Sequence, residues 1–489
     1  MVIARERLSH IRPAVPRHLA VTRRVRARYD AAQTTADNRK HWANADYLSA
    51  NAAASSEVRR ILRSRARYEA ANNSYARGIV LTLANDLVGT GPRLQVLLGS
   101  AAGSMNQTLE REFAAWARAV DLAGKLRTMR MARATDGETF AVLFDNPALE
   151  TEVQLDLRLV EADQVTTPER PLDKAHAVDG IVFDSAGNPV EYHVLKSHPG
   201  DTSSCLNRDY DRVPAEAVIH WFRGDRPGQS RGLPDILPAL PLFAQLRRYT
   251  LAVIAAAESA ANIAIFMKTT TVPEAGPAEV DAMTEMDIVR NMAVFAPEGW
   301  EPTQIKAEQP TTTYGEFKHE ILNEIARCLN MPYNIAACNS SGYNYASGRL
   351  DHQTYYKSIR VEQNHVETVV LDRILAAWLD EAVKAFRLGN LSDVPHQWFW
   401  DGYEHVDPAK EATAQSQRLT SHTTTLATEY ARQGKDWETE LRQRGKEVAL
   451  MRELGLSAAQ AVPAQDPTQD EREDEDEDED GKRTDRRAA

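Results

Sequence analysis

Apolar residues recur at helical spacing over several long stretches of the chain. Residues three and four apart share one face of a helix, so this spacing predicts amphipathic helices. The longest apolar stretch, from Leu251 to Ile265, is apolar on nearly every side, which indicates burial or packing against other copies. The predicted helices are Ser55–Asn85, Met105–Val120, Leu233–Phe266, Thr311–Leu329 and Arg349–Arg387, and a helical region from Asp407 to Leu456 broken at Gly434.

Between Val120 and Leu233 the pattern changes to the alternation typical of half-buried strands. The turn-forming residues 184–188 separate two short apolar runs, which predicts a hairpin. Helices and strands in separate blocks indicate an α+β fold. The predicted strands are Arg93–Leu98, Ala141–Phe144, Val153–Val160, Ile181–Phe183, Val190–Leu195, Val218–Phe222, Ala293–Phe295 and Gln397–Trp400.

A polar stretch lies between two of the predicted long helices. Pro332 ends the first helix, because proline disfavours helical geometry in the residue before it. The following residues are rich in turn formers and tolerate left-handed geometry. Such a loop has two interpretations that the residues alone leave open: non-specific contact with a DNA backbone, or an ordinary surface loop. Its candidate DNA-contacting residues are Asn339, Ser340, Ser341, Tyr343, Asn344, Tyr345 and Ser347.

Composition narrows the class of protein. With 489 residues and 43% hydrophobic residues, the chain can form two to four subdomains with a sizeable core. The cysteines Cys205, Cys328 and Cys338 form no CxxC pair, so neither a disulfide framework nor a zinc site is expected. A reducing compartment fits this cysteine usage best. No apolar run reaches the length of a membrane span, so no membrane contact is expected.

Charge is distributed unevenly along the chain. Residues 1–70 hold 15 Arg and Lys against 6 Asp and Glu, whereas residues 464–489 hold 12 acidic against 5 basic residues. The basic end is expected to be an irregular arm over 1–50, either a nucleic-acid contact or a solvated arm. The acidic run repels itself, so residues 458–489 are expected to be a disordered tail.

Only one catalytic pattern fits the chain. The four Gly-Lys pairs all lack Ser or Thr after the lysine, so an ATP-driven motor is not expected. The segment Gly228–Gly232 matches the G-x-S-x-G nucleophile elbow around Ser230. However, Pro227 interrupts the strand that should run into the turn. A serine hydrolase therefore remains an alternative, but we expect no enzyme, no catalytic residues, no cofactor and no metal.

Several short phrases occur along the chain in a fixed order. They are Leu62–Arg67, Asn72–Ala76, Val88–Gly91, Asp136–Glu138, Gly228–Gly232, Tyr343–Arg349 and Val406–Glu411. In this order and spacing they resemble the lambda family of phage portal proteins, or head-tail connectors. The resemblance covers about residues 23–456. One departure lies at 344–347, where the family more often has a Tyr-Ser-Ser-like run.

The resemblance implies a structural ring of about twelve subunits at one capsid vertex, with DNA passing through its channel. It implies an α/β wing, a two-helix stem, a small clip and a helical crown. The implied segments are wing 51–232, stem helices 233–266 and 311–330, clip 267–310, tunnel loop 331–348, long wing helix and strand 349–402, and crown 403–457.

The same resemblance implies partners and a location. The partners are the large terminase subunit during packaging, the major capsid and scaffold proteins, and head-tail connector proteins afterwards. Double-stranded DNA would be contacted without sequence specificity. The location implied is the virion, with assembly in the host cytoplasm. The remaining alternative is a nucleic-acid-binding protein that uses the basic arm alone.

Overall fold

The computed structural model describes residues 35–36, 39–99, 103–167, 177–201, 209–262, 266–269, 300–303, 313–388, 391, 394–402 and 408–456. The chain divides into two units, Met1–Ser49 and Ala50–Ala489. In the first unit, residues 39–44 form turns, and the rings of His41 and Trp42 meet edge to face at 4.6 Å. Most of the predicted basic arm, the predicted strand Ala293–Phe295 and the predicted acidic tail lie outside the described residues.

Helices provide most of the regular structure in the second unit. A stretch of π-helix, Glu367–Leu371, joins two of the long helices. The α-helices are α1 Ala50–Ala53, α2 Ser56–Asn72, α3 Ser74–Val88, α4 Gly103–Ala119, α5 Leu122–Asp136, α6 Leu240–Asn262, α7 Thr313–Arg327, α8 Tyr333–Ala336, α9 Tyr345–Val366, α10 Asp372–Ala385, α11 Pro408–Thr420, α12 Leu426–Arg432 and α13 Trp437–Glu453.

The described strands form four antiparallel sheets. Two are the central sheets, with strand orders β3-β2-β8 and β4-β5-β6-β7, and the others are the pairs β1-β11 and β9-β10. The strands are β1 Arg93–Val96, β2 Glu138–Asp145, β3 Leu155–Val160, β4 Ala177–Val178, β5 Ile181–Phe183, β6 Pro189–Leu195, β7 Tyr210–Pro214, β8 Val218–Phe222, β9 Phe266–Thr269, β10 Trp300–Thr303 and β11 His396–Phe399.

The main core lies where α3, α4 and α10 meet the β2 sheet. The ring of Phe113 contacts the ring of Trp378 edge to face at 5.3 Å. The indole N–H of Trp116 donates to the carbonyl of Leu155 at 2.7 Å, which satisfies a buried polar group. A smaller cluster around Phe140 joins the two central sheets. The mixture of helices and sheets confirms the α+β prediction.

The prediction of one helix over Ser55–Asn85 was wrong, because the chain breaks at Asn73. Asn73 has extended geometry, with φ −117° and ψ 119°. Its side chain accepts hydrogen bonds from the backbone N–H groups of Tyr75 and Ala76, and it thereby caps α3. A side chain that competes with the helical backbone in this way favours a break even inside an apolar pattern.

The prediction that β structure begins directly after Val120 was also wrong. Residues 122–136 form α5, which Asp121 caps by accepting a hydrogen bond from the backbone N–H of Gly124. The buried face of α5 includes Arg130 and Arg133 beside its apolar residues. These arginines concealed the helical period, because a pattern read from apolar residues treats them as exposed.

The two longest predicted helices differ from the structure, one in length and the other in continuity. The predicted Leu233–Phe266 helix begins only at Leu240, because Pro234 and Pro238 hold the entry in turns and a 3₁₀ segment. Phe266 lies in β9 rather than in a helix. The predicted Arg349–Arg387 helix begins earlier, at Tyr345, and the π-helical stretch divides it.

The remaining predicted elements agree with the structure to within a few residues. The hairpin at 184–188 is confirmed, since β5 pairs with β6 across a turn in which Asp184 accepts hydrogen bonds from the N–H groups of Ala186 and Asn188. The helices α4 and α7 and the strands β1, β2, β3, β8 and β11 are confirmed too. The strands β4, β7, β9 and β10 were not predicted. The predicted helical region Asp407–Leu456 has a second break, between Thr420 and Leu426, besides the one predicted at Gly434.

Candidate nucleic-acid interface

The polar stretch 337–344 connects the short helix α8 to the long helix α9. The backbone N–H of Asn339 donates to the Asn334 carbonyl at 3.0 Å, and the N–H of Tyr343 donates to the Ser340 carbonyl at 3.2 Å. Gly342 has φ +86°, a left-handed geometry that glycine adopts without strain. These local bonds fold the loop into two successive turns.

Most candidate DNA-contacting residues on this loop are accessible. Asn339, Ser340, Ser341, Asn344 and Ser347 are exposed. Tyr343 is half-buried, and burial raises the pKa of its phenol, which is therefore neutral. The side chain of Tyr345 lies outside the described residues. A set of neutral hydroxyls and amides suits contact with phosphate without base recognition.

The predicted loop 331–348 is shorter in the structure, because helices enter it from both sides. Residues 333–336 form α8, which starts directly after Pro332. At the other end Asn344 caps α9, since its side chain accepts a hydrogen bond from the N–H of Ser347 at 2.8 Å. Tyr345 and Ser347 therefore belong to the first turn of α9 rather than to the loop.

A buried amide holds the base of the loop against α9. The side-chain amide of Asn334 and Nε2 of His352 lie 2.8 Å apart. Asn334 is buried, with 8% of its surface exposed. The ring of Tyr333 lies 4.1 Å from the ring of His319 in α7. The loop is thus anchored to the helices on both sides, and only its tip is exposed.

The arginine-rich phrase Leu62–Arg67 does not form a basic surface. Arg63 is buried and bonds to Glu138, and its Nη1 lies 3.0 Å from Asp163. Arg67 makes a bidentate pair with Asp136, with distances of 2.7 and 2.9 Å. These two arginines therefore serve internal structure rather than nucleic-acid binding.

The buried carboxylate of Glu138 is the centre of this charged framework. It accepts hydrogen bonds from Arg231 and from the Gly232 backbone N–H at 3.0 Å, and it contacts His220 Nε2 at 3.0 Å. These donors, together with Arg63, hold the pKa of Glu138 well below its usual value despite complete burial. Sequence reasoning missed this site, although the phrases Asp136–Glu138 and Gly228–Gly232 contain its residues.

A second buried network connects α5 to α9. Arg130 donates to Asp235 at 2.9 Å, and Arg133 lies 3.0 Å from Glu362. The guanidinium of Arg133 also lies over the ring of Trp221, 4.9 Å from its centre. Asp235 lies on the segment that leads into α6. The segment before α6 and the helix α9 are therefore held to α5 by the same network of ion pairs.

Ser230 lies in a structural turn. The strand β8 ends at Phe222 and α6 begins only at Leu240, so no strand runs directly into a helix at this serine. The Ser230 Oγ accepts a hydrogen bond from the Asn51 amide at 3.2 Å, and its backbone N–H donates to Asn51 at 2.9 Å. This geometry does not provide a nucleophile elbow.

One cluster in the described part of the chain brings together three groups of metal-ligand type: Glu161, Asp163 and His198. Asp163 is already paired with Arg63 at 3.0 Å and with Arg67 at 2.8 Å. The two guanidinium groups neutralise the negative charge of the Asp163 carboxylate, which a metal cation would need as a ligand. We therefore assign the cluster to the charged framework around Glu138.

Comparison with known proteins identifies the family. The model of the family described as phage portal protein, lambda family, matches residues 36–363. A probable portal protein of Halomonas phage phiHAP-1 is 24% identical over 428 residues, which cover 81% of each chain.

Among solved structures, the neck of an empty GTA particle is similar with a TM-score of 0.48 and 13% identity. The neck of a native GTA particle is similar with a TM-score of 0.45 and 14% identity. Each comparison covers 76% of this chain and 92% of the other chain. None of the described helices has the length and apolar character of a membrane span. The family match covers well over half of the sequence, and the chain therefore belongs to the lambda family of phage portal proteins.

Proposed function

We propose that this portal protein forms a closed ring of about twelve subunits, whose channel conducts DNA during packaging and ejection. The observation that carries the proposal is the family match over residues 36–363. The ring occupies one vertex of the capsid in the virion, after assembly in the host cytoplasm. It acts as a structural part, without enzymatic activity.

The long helix α6 supports ring formation. Leu251 and Ile254 are 60% and 48% exposed on its surface, although the helix packs against α7 through the stacked rings of Tyr249 and Tyr314. Apolar side chains left in water in this way favour an interface with another chain. In a head-to-tail ring each protomer would cover the exposed face of the next.

The segments take the roles that the resemblance implies. Residues 51–232 are the wing, α6 and α7 are the stem, and 403–457 form the crown. The clip is the segment 267–310, most of which lies outside the described residues. We assign terminase docking to this clip, since it connects the two stem helices at the end of the ring. The capsid, scaffold and head-tail connector proteins contact other faces of the same ring.

The loop at 337–344 and the first turn of α9 narrow the channel. Their exposed amides and hydroxyls contact DNA phosphate briefly. The loop itself has no lysine or arginine. A neutral lining suits a channel through which DNA must move, because phosphate contacts from many cations would hold the DNA.

End-on class averages from negative-stain electron microscopy test the ring directly. Rings with a central hole and about twelvefold symmetry are the expected result. Monomers both in isolation and when co-expressed with the scaffold protein would contradict it. In that case a fluorophosphonate probe on Ser230 and salt-dependent DNA binding by the monomer would test the hydrolase and basic-arm alternatives.

A double variant, Tyr343→Ala with Tyr345→Ala, tests the channel loop in rings that assemble normally. We expect DNA to be packaged or retained less well than in wild type. Retention and packaging equal to wild type would refute the role of the loop. Deleting 275–295 from the clip tests terminase docking, and unchanged terminase binding by assembled rings would refute that assignment.

A further inference from the structure

The exposed face of α9 combines a row of three cations and one neutral amide with an apolar strip. Arg349, Gln353 and Lys357 follow one another at four-residue spacing, and Arg360 continues the row. All four side chains are exposed. Residues four apart lie on the same face of a helix. Beside this row, Leu350 and Val361 are 66% and 67% exposed.

The cations in this row are left without partners inside the described part of the protomer. Of the two acids on this helix, Asp351 lies two residues from Arg349 and therefore on a different face. Glu362 pairs with Arg130 and Arg133 on the inner side. Neither Arg349 nor Lys357 has an ion-pair partner among the described residues. A face with unpaired cations and exposed aliphatic groups fits a partner that is both acidic and apolar.

The stem helix α7 carries the complementary surface. Glu316, Glu320 and Glu324 repeat at four-residue spacing and are all exposed. Among the described residues, Glu320 pairs with its neighbour His319, at 3.2 Å, and 74% of its side chain is exposed. Phe317 borders the row and is 38% exposed. This surface is therefore acidic with an aromatic edge.

The two rows also match in length. Glu316 and Glu324 are eight residues apart, as are Arg349 and Lys357, and eight residues of helix span about 12 Å. Two acids of the crown helix α13 are already paired within that helix, and Glu447 lies 3.3 Å from Arg444. Glu438 pairs with Arg442 at 3.0 Å within that helix.

We propose that the cationic and apolar face of α9 docks on the acidic face of α7 in a second copy of the chain. The inference rests on the proposed ring and names the two surfaces that would join its neighbouring subunits. A contact between two different patches is the heterologous type that generates rings. DNA is the less suitable occupant, because phosphate would leave Leu350 and Val361 uncovered.

Charge reversal tests the contact. The variant Lys357→Glu with Arg360→Glu, and separately Glu320→Lys with Glu324→Lys, should each lower the fraction of protein in rings at least about tenfold, since like charges would then face each other. The combination of all four substitutions should restore rings to within about twofold of wild type. The control, Arg60→Glu with Arg65→Glu, makes the same charge change on exposed positions of α2 and should leave rings intact.

Sedimentation velocity and electron microscopy on the full chain measure the ring fraction. Rings at the wild-type level in both reversal variants would overturn this contact while leaving the ring proposal intact. Loss of rings without rescue in the fourfold variant would overturn it as well. If Lys357→Glu with Arg360→Glu formed normal rings that bound less double-stranded DNA, the face would be assigned to DNA instead. A wild-type chain that never forms rings would contradict the ring proposal itself.

Discussion

Arg231 and Glu138 form an ion pair that is sealed from water. The Nη2 atom of Arg231 lies 2.7 Å from Oε1 of Glu138, and the two side chains are 1% and 0% exposed. Arg231 also donates to the backbone carbonyl of Val165 at 3.0 Å and to that of Ala162 at 3.2 Å. One side chain thus joins the segment before α6 to β2 and to the loop after β3.

Replacing Arg231 by methionine should destabilise the fold strongly. The change leaves the Glu138 carboxylate buried with fewer partners, and breaking a buried pair in this way costs about 3–5 kcal/mol. Chemical unfolding followed by circular dichroism measures the loss. The control is Arg226→Met, an exposed position five residues earlier, where a change within about 0.5 kcal/mol is expected. Equal effects at both positions would contradict the role of the pair.

Stability should decrease on acidification through His220. Burial lowers the pKa of His220, and its hydrogen bond to Glu138 opposes that effect. The folded chain therefore binds this proton more weakly than the unfolded chain. The stabilising contribution is complete above the unfolded pKa of about 6.5 and is lost as the pH falls from there toward the lowered folded value.

The variant His220→Gln isolates this contribution. Its free energy of unfolding should fall less between pH 7 and pH 5 than that of wild type. The comparison must use the difference between the two profiles, because burial raises the pKa of Asp136 and gives that group the opposite pH dependence. The exposed residue His422 supplies the control, and His422→Gln should follow the wild-type profile. Parallel profiles for wild type and His220→Gln would refute the prediction.

Sequence patterns predicted most helices and strands because apolar residues mark the faces that become buried. They failed where charged residues are buried instead. The helix α5 was missed because Arg130 and Arg133 occupy its inner face. The break at Asn73 was missed because a single capping side chain overrides an otherwise continuous pattern.

The composition predicted the exposed loop at 337–344, but it did not predict how short the loop is. Asn344 starts α9 earlier than the resumed apolar pattern indicated, since a cap lies outside that pattern. The role of Glu138 was not predictable in the same way. Its partners Arg63, His220 and Arg231 are far apart in sequence, and only the tertiary fold brings them to one carboxylate.

Gly434 should be essential for attaching α12 and α13 to the sheet formed by β1 and β11. It has φ +70°, and a methyl group there would collide with the carbonyl oxygen of Trp400. Arg93 bonds to the carbonyl of Gly434, and Gln95 bonds to the side chain of Asp436. We expect Gly434→Ala to loosen this junction and to raise amide exchange in α13 about five- to thirtyfold, since a strained left-handed position costs about 1–2 kcal/mol.

A second glycine offers the matched control for that prediction. Gly445 lies inside α13, where an added methyl group meets nothing within 4 Å. Because alanine favours a helix over glycine, Gly445→Ala should stabilise α13 by about 0.5–1 kcal/mol and slow its exchange. Similar exchange in the two variants would show that the junction at Gly434 does not hold α13 in place.

The N-cap at Asn344 should determine the shape of the loop at 337–344. Asn344→Ala removes the hydrogen bond to the Ser347 N–H, and loss of such a cap costs about 1 kcal/mol. Amide exchange at Ser347 and Gly348 should rise about fivefold as the first turn opens. Asn344→Ser keeps a capping oxygen and should behave as wild type. If Asn344→Ala exchanged at the wild-type rate, the cap would not set where α9 begins. If exchange rose while assembled rings retained DNA normally, the loop would lose its proposed contact with phosphate.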